Sequence, residues 1–153
     1  MEATAARNIA LRIHAGQRDR FGEPVVEHLA RVAAAVPADA EATAWLHDAI
    51  ERTRIPAEEL RAAGLTIDEC EALELLTRAH TESYELYTLR IAFAEGEAGR
   101  LARVVKLADL DDHLAHAAPP ADAPPYGWAR RRIAAVDARR PARRPAPARS
   151  GAA

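Results

Sequence analysis

From residue 5 onward the apolar residues recur at spacings of three and four, in short segments cut apart by proline and glycine. That is the pattern of helices that each bury one face. Ala5, Ile9 and Ile13, with Leu11 nearby, mark a first helix running to about Gln17. Val25, Leu29, Val32 and Val36 mark a second. Pro24 stands in its first turn, where a missing N–H has no partner to lose, and Pro37 closes it. A third is expected from Asp39, as N-cap, to Glu51. A short fourth starts at Pro56 and ends at Gly64 as a left-handed cap. Thr66 followed by Glu69 reads as a capping box and opens a fifth helix with Ile67, Leu73 and Leu76 apolar. Ser83 caps a sixth over 84–95, Gly96 and Gly99 mark the next break, and a seventh covers 100–116 with Leu101, Val104, Val105 and Ala108 on one face. Pro119, Pro120, Pro124 and Pro125 then interrupt the chain before a last short helix over 126–138. No alternating apolar pattern is long enough for a sheet. The expected fold class is all-α, a single helical bundle.

A chain of 153 residues suits one domain. We expect it to span 1–138. Residues 139–153 are Pro, Ala, Arg, Ser and Gly, which cannot bury a core, so a disordered basic tail is expected there. The net charge of −2 hides an asymmetry: residues 126–153 hold eight arginines against Asp137 alone, leaving 13 basic and 22 acidic residues before them. Such a tail can contact nucleic acid, but no aromatic residue interleaves its arginines beyond Trp128, and a solvated tail is the favoured reading. Cys70 is the single cysteine and reads as a small apolar residue in a reducing compartment. The N-terminal stretch meets charges every few residues, unlike a signal peptide. No apolar run approaches the roughly 18 residues that span a bilayer. The expectation is a cytoplasmic chain without a membrane partner. Oligomeric state has no signature in the sequence.

Four ligand-type residues stand on otherwise apolar segments: His28 on the second helix, His47 and Asp48 on the third, Asp109 on the seventh. A buried carboxylate is costly unless it is paired or binds a metal. Two imidazoles and two carboxylates suit Mn²⁺, Fe²⁺, Zn²⁺ or, less well, Mg²⁺. Glu51 follows Asp48 by three and His47 by four, on the same helical face, where a carboxylate can serve as general base. Each residue also has a plain alternative: a hydrogen-bonded core histidine, a chance His-Asp dipeptide, an Asp109 that pairs with Lys106, a solvated Glu51.

The string HAGQRDRFGEPVVEHLARVA (14–33) resembles the opening of the RelA/SpoT-like branch of the HD superfamily, in which a His-x-Gly-Gln segment leads through a Gly-x-Pro turn to a metal histidine. TAWLHDAIERT (43–53) is similar to its His-Asp helix, LTRAHTESYELYTLRIA (76–92) to the Ser-Tyr-Glu helix of its small stand-alone members, and VVKLADLDDHL (104–114) to its Lys-Leu-Ala-Asp segment. The resemblance covers about residues 5–115 in the family's order. It implies an all-α domain that hydrolyses phosphate esters or diphosphates, guanosine 3′-diphosphate alarmones among them, commonly with Mn²⁺. It implies His28, His47, Asp48 and Asp109 as metal ligands, Glu51 as the catalytic glutamate beside Asp48, and Lys106 beside the site. Three positions depart from the pattern. Arg52 replaces an acid, His113 replaces an asparagine, and Asp19, flanked by Arg18 and Arg20, stands where alarmone hydrolases carry an arginine near the purine.

The expectation is a phosphohydrolase acting on a small nucleotide, with Arg18, Arg20, Lys106, Arg52 and His113 contacting substrate. Its alternative is a degenerate module that keeps metal and nucleotide as a sensor or interaction domain, chemistry having been lost through Arg52 and His113. Tyr84, Tyr87 and Trp45 are expected in the core. His14, His80 and His116 are expected to be structural or surface residues.

Overall fold

A computed structural model describes residues 1–19, 21–116 and 125–139. Among them are nine α-helices and no β-strand: α1 (Ala3–Ile13), α2 (Val25–Ala34), α3 (Glu41–Leu46), α4 (Ala49–Thr53), α5 (Ala57–Ala62), α6 (Ile67–Leu76), α7 (Tyr84–Phe93), α8 (Gly96–His116) and α9 (Tyr126–Asp137). The fold is all-α. The expectation of a disordered tail lies outside the described residues beyond Arg139.

Helix α8 is the axis. It packs against α6, α2, α7 and α9, while α1 and α2 pack on α3. The core joins Leu29 and Val32 of α2, Leu46 of α3, Leu73 and Leu76 of α6, Ile91 of α7, Val105 and Leu110 of α8 and Ile133 of α9. Burying one such side chain contributes roughly 1.5–3 kcal/mol. Trp45 and Tyr87 are buried as expected, and Tyr84 is half-buried against the core. The Thr66–Glu69 capping box and the Ser83 cap both form. Among the described residues no helix is long and apolar enough to cross a membrane.

Four local expectations need correction. Helix α1 ends at Ile13; Ile9 and Ile13 pack half-buried on the core as expected, beside the fully buried Ala6 and Ala10, whereas Ala5 and Leu11 are exposed. Asp39 caps nothing: a 3₁₀ turn covers Ala38–Ala40, and the Asp39 carboxylate pairs with Arg100 at 2.6 Å. The third helix is not continuous, because the chain turns at His47 and Asp48 between α3 and α4. Gly99 does not break the seventh helix, which begins at Gly96 and includes it. A Cβ on Gly99 would stand 2.4 Å from the carbonyl oxygen of Ala94, so α7 and α8 meet there more closely than any other residue allows.

Candidate metal centre

His47 and Asp48 stand in the turn between α3 and α4, both with right-handed helical dihedrals. Helix α2 brings His28 beside them and α8 brings Asp109. The His28 Nε2 lies 3.2 Å from Asp109 Oδ1, and His47 Nε2 lies 3.7 Å from that oxygen and 3.5 Å from Asp48 Oδ1. The two imidazole rings stand edge to face with centroids 5.3 Å apart.

Hydrogen positions follow from the partners. The Nδ1–H of His47 donates to the carbonyl of Ala44 at 2.8 Å, and that of His28 donates to Asp112 Oδ2 at 2.7 Å. A carbonyl and a carboxylate only accept, so each Nδ1 carries hydrogen and each Nε2 is the ring nitrogen that faces the carboxylates. The Nε2 of His47 is buried without a hydrogen-bond partner. Its lone pair therefore faces two carboxylate oxygens. Ligand atoms held roughly 2.1 Å from one cation stand about 3 Å apart in an octahedron and somewhat farther in a tetrahedron. Separations of 3.2–3.7 Å fit such a set. Two groups here can hold a metal ion, His28 with His47 and Asp48, and His28 with Asp109 and His113.

Charges around the centre are balanced in layers. Lys106 is half-buried, its side chain 11% exposed, with its Nζ 2.7 Å from Asp109 Oδ2 and 5.1 Å from the centre of the Tyr87 ring. Burial opposes its charge, but Asp109 outweighs burial and holds its pKa well above the usual lysine value. Asp109 is likewise held well below the usual carboxylate range, against its burial, by Lys106, His113 and His28. Burial lowers the pKa of His47 and outweighs the pull of Asp48 and Asp109. Burial would lower His28 too, but bonds to Asp109 and Asp112 with the nearby charge of Asp109 raise it from 6.5 to about 9. The metal-free centre therefore carries its proton on His28, not on His47.

Outside the centre opens a cleft of about 530 Å³. His28, Arg31 and Asp112 form one side, Arg52, His113 and His116 line it further, and Phe21 and Tyr126 supply aromatic faces. Asp19 and Glu23 sit at its lip. The lip is shaped by Asp19, whose Oδ1 accepts from the backbone N–H of Phe21 and of Glu23.

The expected site residues divide accordingly. His28, His47, Asp48 and Asp109 come together. Arg52 lines the cleft and ion-pairs with Asp48. His113 lines the cleft, its Nδ1 within 2.9 Å of the Asp109 carbonyl, and its ring packs on Tyr126. Lys106 supports Asp109 from the buried side and does not line the cleft. Arg18 does not line it either; its guanidinium donates to the carbonyl of Gly22. Arg20 lies outside the described residues. Glu51 is exposed, accepts the backbone N–H of Arg78 at 3.1 Å and does not line the cleft. His80 is exposed, as is His116, whereas His14 is buried and bonded to Gln17.

Two residues were missed from the sequence. Asp112 binds His28, and Arg31 binds Asp112 through Nε at 2.7 Å and Nη2 at 3.1 Å. Their only signal is spacing: Asp112 follows Asp109 by three and Arg31 follows His28 by three, which puts each beside a ligand on its own helix.

Comparison with models of known protein families gives no match for this chain, and comparison with curated protein sequences gives none either.

Proposed function

We propose that the chain is a metal-dependent phosphohydrolase of the HD superfamily, RelA/SpoT-like, acting on a nucleotide phosphate or diphosphate with Mn²⁺ as the working ion. The observation that carries this reading is the buried, unpartnered Nε2 of His47 facing Asp48 and Asp109. His28, His47, Asp48 and Asp109 hold the cation. A divalent ion in such a place polarises a phosphoryl oxygen and makes water acidic enough to attack near neutral pH.

The chain's own groups supply the rest. Arg52 and Arg31 reach the cleft with guanidinium groups that pair with phosphoryl oxygens through paired hydrogen bonds. Glu51 takes the proton of the attacking water once it releases the Arg78 amide. Lys106 keeps Asp109 ionised, so that the ligand set keeps its charge. The volume of the cleft, about 530 Å³, suits a ligand of nucleotide size. Tyr126 and Phe21 offer ring faces for a base.

The test is phosphate and pyrophosphate release from a nucleotide panel with Mn²⁺, guanosine 3′,5′-bis-diphosphate included. Release that disappears in Asp48→Ala supports the reading. No release from protein shown to hold Mn²⁺ sinks it.

That outcome would favour a second reading, a degenerate module that binds metal and nucleotide without turnover. The ion pair between Arg52 and Asp48 favours it, because a guanidinium occupies one expected ligand. Arg52→Asp discriminates: a gain of turnover points to a lost acid, and unchanged or lower turnover points to Arg52 as a phosphate contact.

A further inference from the structure

The two histidines of the centre are aimed by different means. His47 is aimed by a neutral backbone carbonyl three residues back, that of Ala44. His28 is aimed by a carboxylate from 84 residues away. We propose that Asp112 is a positioning residue for the metal centre: it fixes the tautomer and ring direction of His28, and Arg31 fixes Asp112 in turn. The inference rests on reading the centre as a metal site, and it names the group that sets that site's affinity.

Four observations support it. The Asp112 side chain is only 9% exposed, although it stands on the cleft side of α8. Its oxygens are engaged by the His28 Nδ1 at 2.7 Å, the Arg31 Nε at 2.7 Å and the His116 Nδ1 at 3.1 Å. Arg31 is also tied to Glu23 at 3.2 Å, so the guanidinium bridges the lip of the cleft and the carboxylate. Finally, the hydrogen on Nδ1 leaves the Nε2 of His28 pointing at Asp109 Oδ1, 3.2 Å away. A carboxylate behind a ligating imidazole holds its tautomer and makes the other nitrogen a stronger donor. An ordinary ion pair between α2 and α8 would bind the helices together equally well, but it would leave cation affinity untouched.

The test uses the full chain and Mn²⁺ alone. Free Mn²⁺ is followed by electron paramagnetic resonance during titration of the unsubstituted protein, Asp112→Ala, Asp112→Asn, Asp48→Ala and Asp111→Asn. Asp111 is the charge control: it is exposed, neighbours Asp112 and pairs with Arg130 on the surface. We expect Asp112→Ala to weaken Mn²⁺ binding about 10–100-fold. Asp112→Asn should fall between, since its amide oxygen still accepts from Nδ1–H. Asp111→Asn should stay within about twofold, its exposed charge being largely screened. In the Zn²⁺-loaded, ¹⁵N-labelled protein the His28 Nδ1 proton should exchange slowly, and it should vanish from the spectrum of Asp112→Ala. Should Asp112→Ala fail to fold by circular dichroism, Asp112→Asn carries the test. Unchanged affinity in the Asp112 variants, a loss matched by Asp111→Asn, or a retained Nδ1 proton in Asp112→Ala overturns the inference. Binding by Asp48→Ala as tight as the unsubstituted protein's, or no binding by a folded unsubstituted protein, overturns the metal reading itself and this inference with it.

Discussion

The centre has two walls, and they are built by different physics. The inner wall is His47, Asp109 and Tyr87, buried in the packing around α8, with the Lys106 ammonium set against Asp109 and Tyr87. Its groups are fixed by burial and by backbone partners: Ala44 for His47, and the carbonyl of Leu76 for the Tyr87 hydroxyl at 2.6 Å. The outer wall is His28, Arg31, Asp112 and His113, lining the cleft, the first three held side chain on side chain and His113 also against the Asp109 carbonyl. Inside, a lost partner leaves a charge or a polar atom with no water to replace it. Outside, Arg31 and His113 are each about one-third exposed, so water and ions compete for their bonds. The inner wall therefore fixes the shape of the centre, and the outer wall is where a bound ion or ligand would meet the cleft.

The largest break in that contrast is expected from Asp109→Ala. It leaves the half-buried Lys106 ammonium without its counter-charge, which should cost about 3–5 kcal/mol of unfolding free energy in urea titration. A loss under about 1 kcal/mol would mean that Lys106 escapes to water and the inner wall is not sealed.

Stability against pH, measured on metal-free protein, should separate the two histidines next. The pKa of His28 is raised by folding from 6.5 to about 9. Its contribution is therefore complete below pH 6.5 and is lost as pH rises through about 9. The pKa of His47 is lowered by folding. Its neutral ring is disfavoured by acid, so stability should fall as pH drops below 6.5. His28→Gln should remove the alkaline loss and leave the acid one. If it removes both, the two rings titrate as one unit and the contrast fails.

Tyr87→Phe should be smaller. It strips the donor from the buried carbonyl of Leu76, which should cost about 1–2 kcal/mol by urea unfolding. Arg31→Met should be smallest for stability, within about 1 kcal/mol, because the guanidinium is about one-third exposed and solvent screens its pairs. A larger loss there would make the outer wall structural too.

How much of this was legible in the sequence depends on the range of the forces involved. The capping box at Thr66 and Glu69 is a local exchange of hydrogen bonds and reads directly from residue types. The α2 stripe of Val25, Leu29 and Val32 reads equally well, since one face meets one core. The turn at His47 does not, because Leu46, Ala49 and Ile50 continue a helical rhythm across it. Helices α1 and α2, which pack on α3, lie outside any local window of residues. Gly99 misled for a similar reason: glycine signals a break when judged locally, yet here it permits a close approach of two backbones. His28, His47, Asp48 and Asp109 were each picked out as polar residues on apolar segments. Asp112 and Arg31 were not, since their value lies in a pairing 81 residues apart.

The corner at Gly99 has a consequence for the phase of α8. Only two residues, Ala94 and Glu95, join α7 to α8. The Ala94 carbonyl is wedged against Gly99 and accepts the Arg103 guanidinium at 2.6 Å. The helix is thereby keyed like a shaft in a slot. A slip of one residue would turn it by about 100° and present Leu107 and Leu110 where Lys106 and Asp109 now stand. The key lies roughly 15 Å along the helix from Asp109. Spacing between α7 and α8, not any side chain at the corner, decides which chemistry reaches the middle of the molecule.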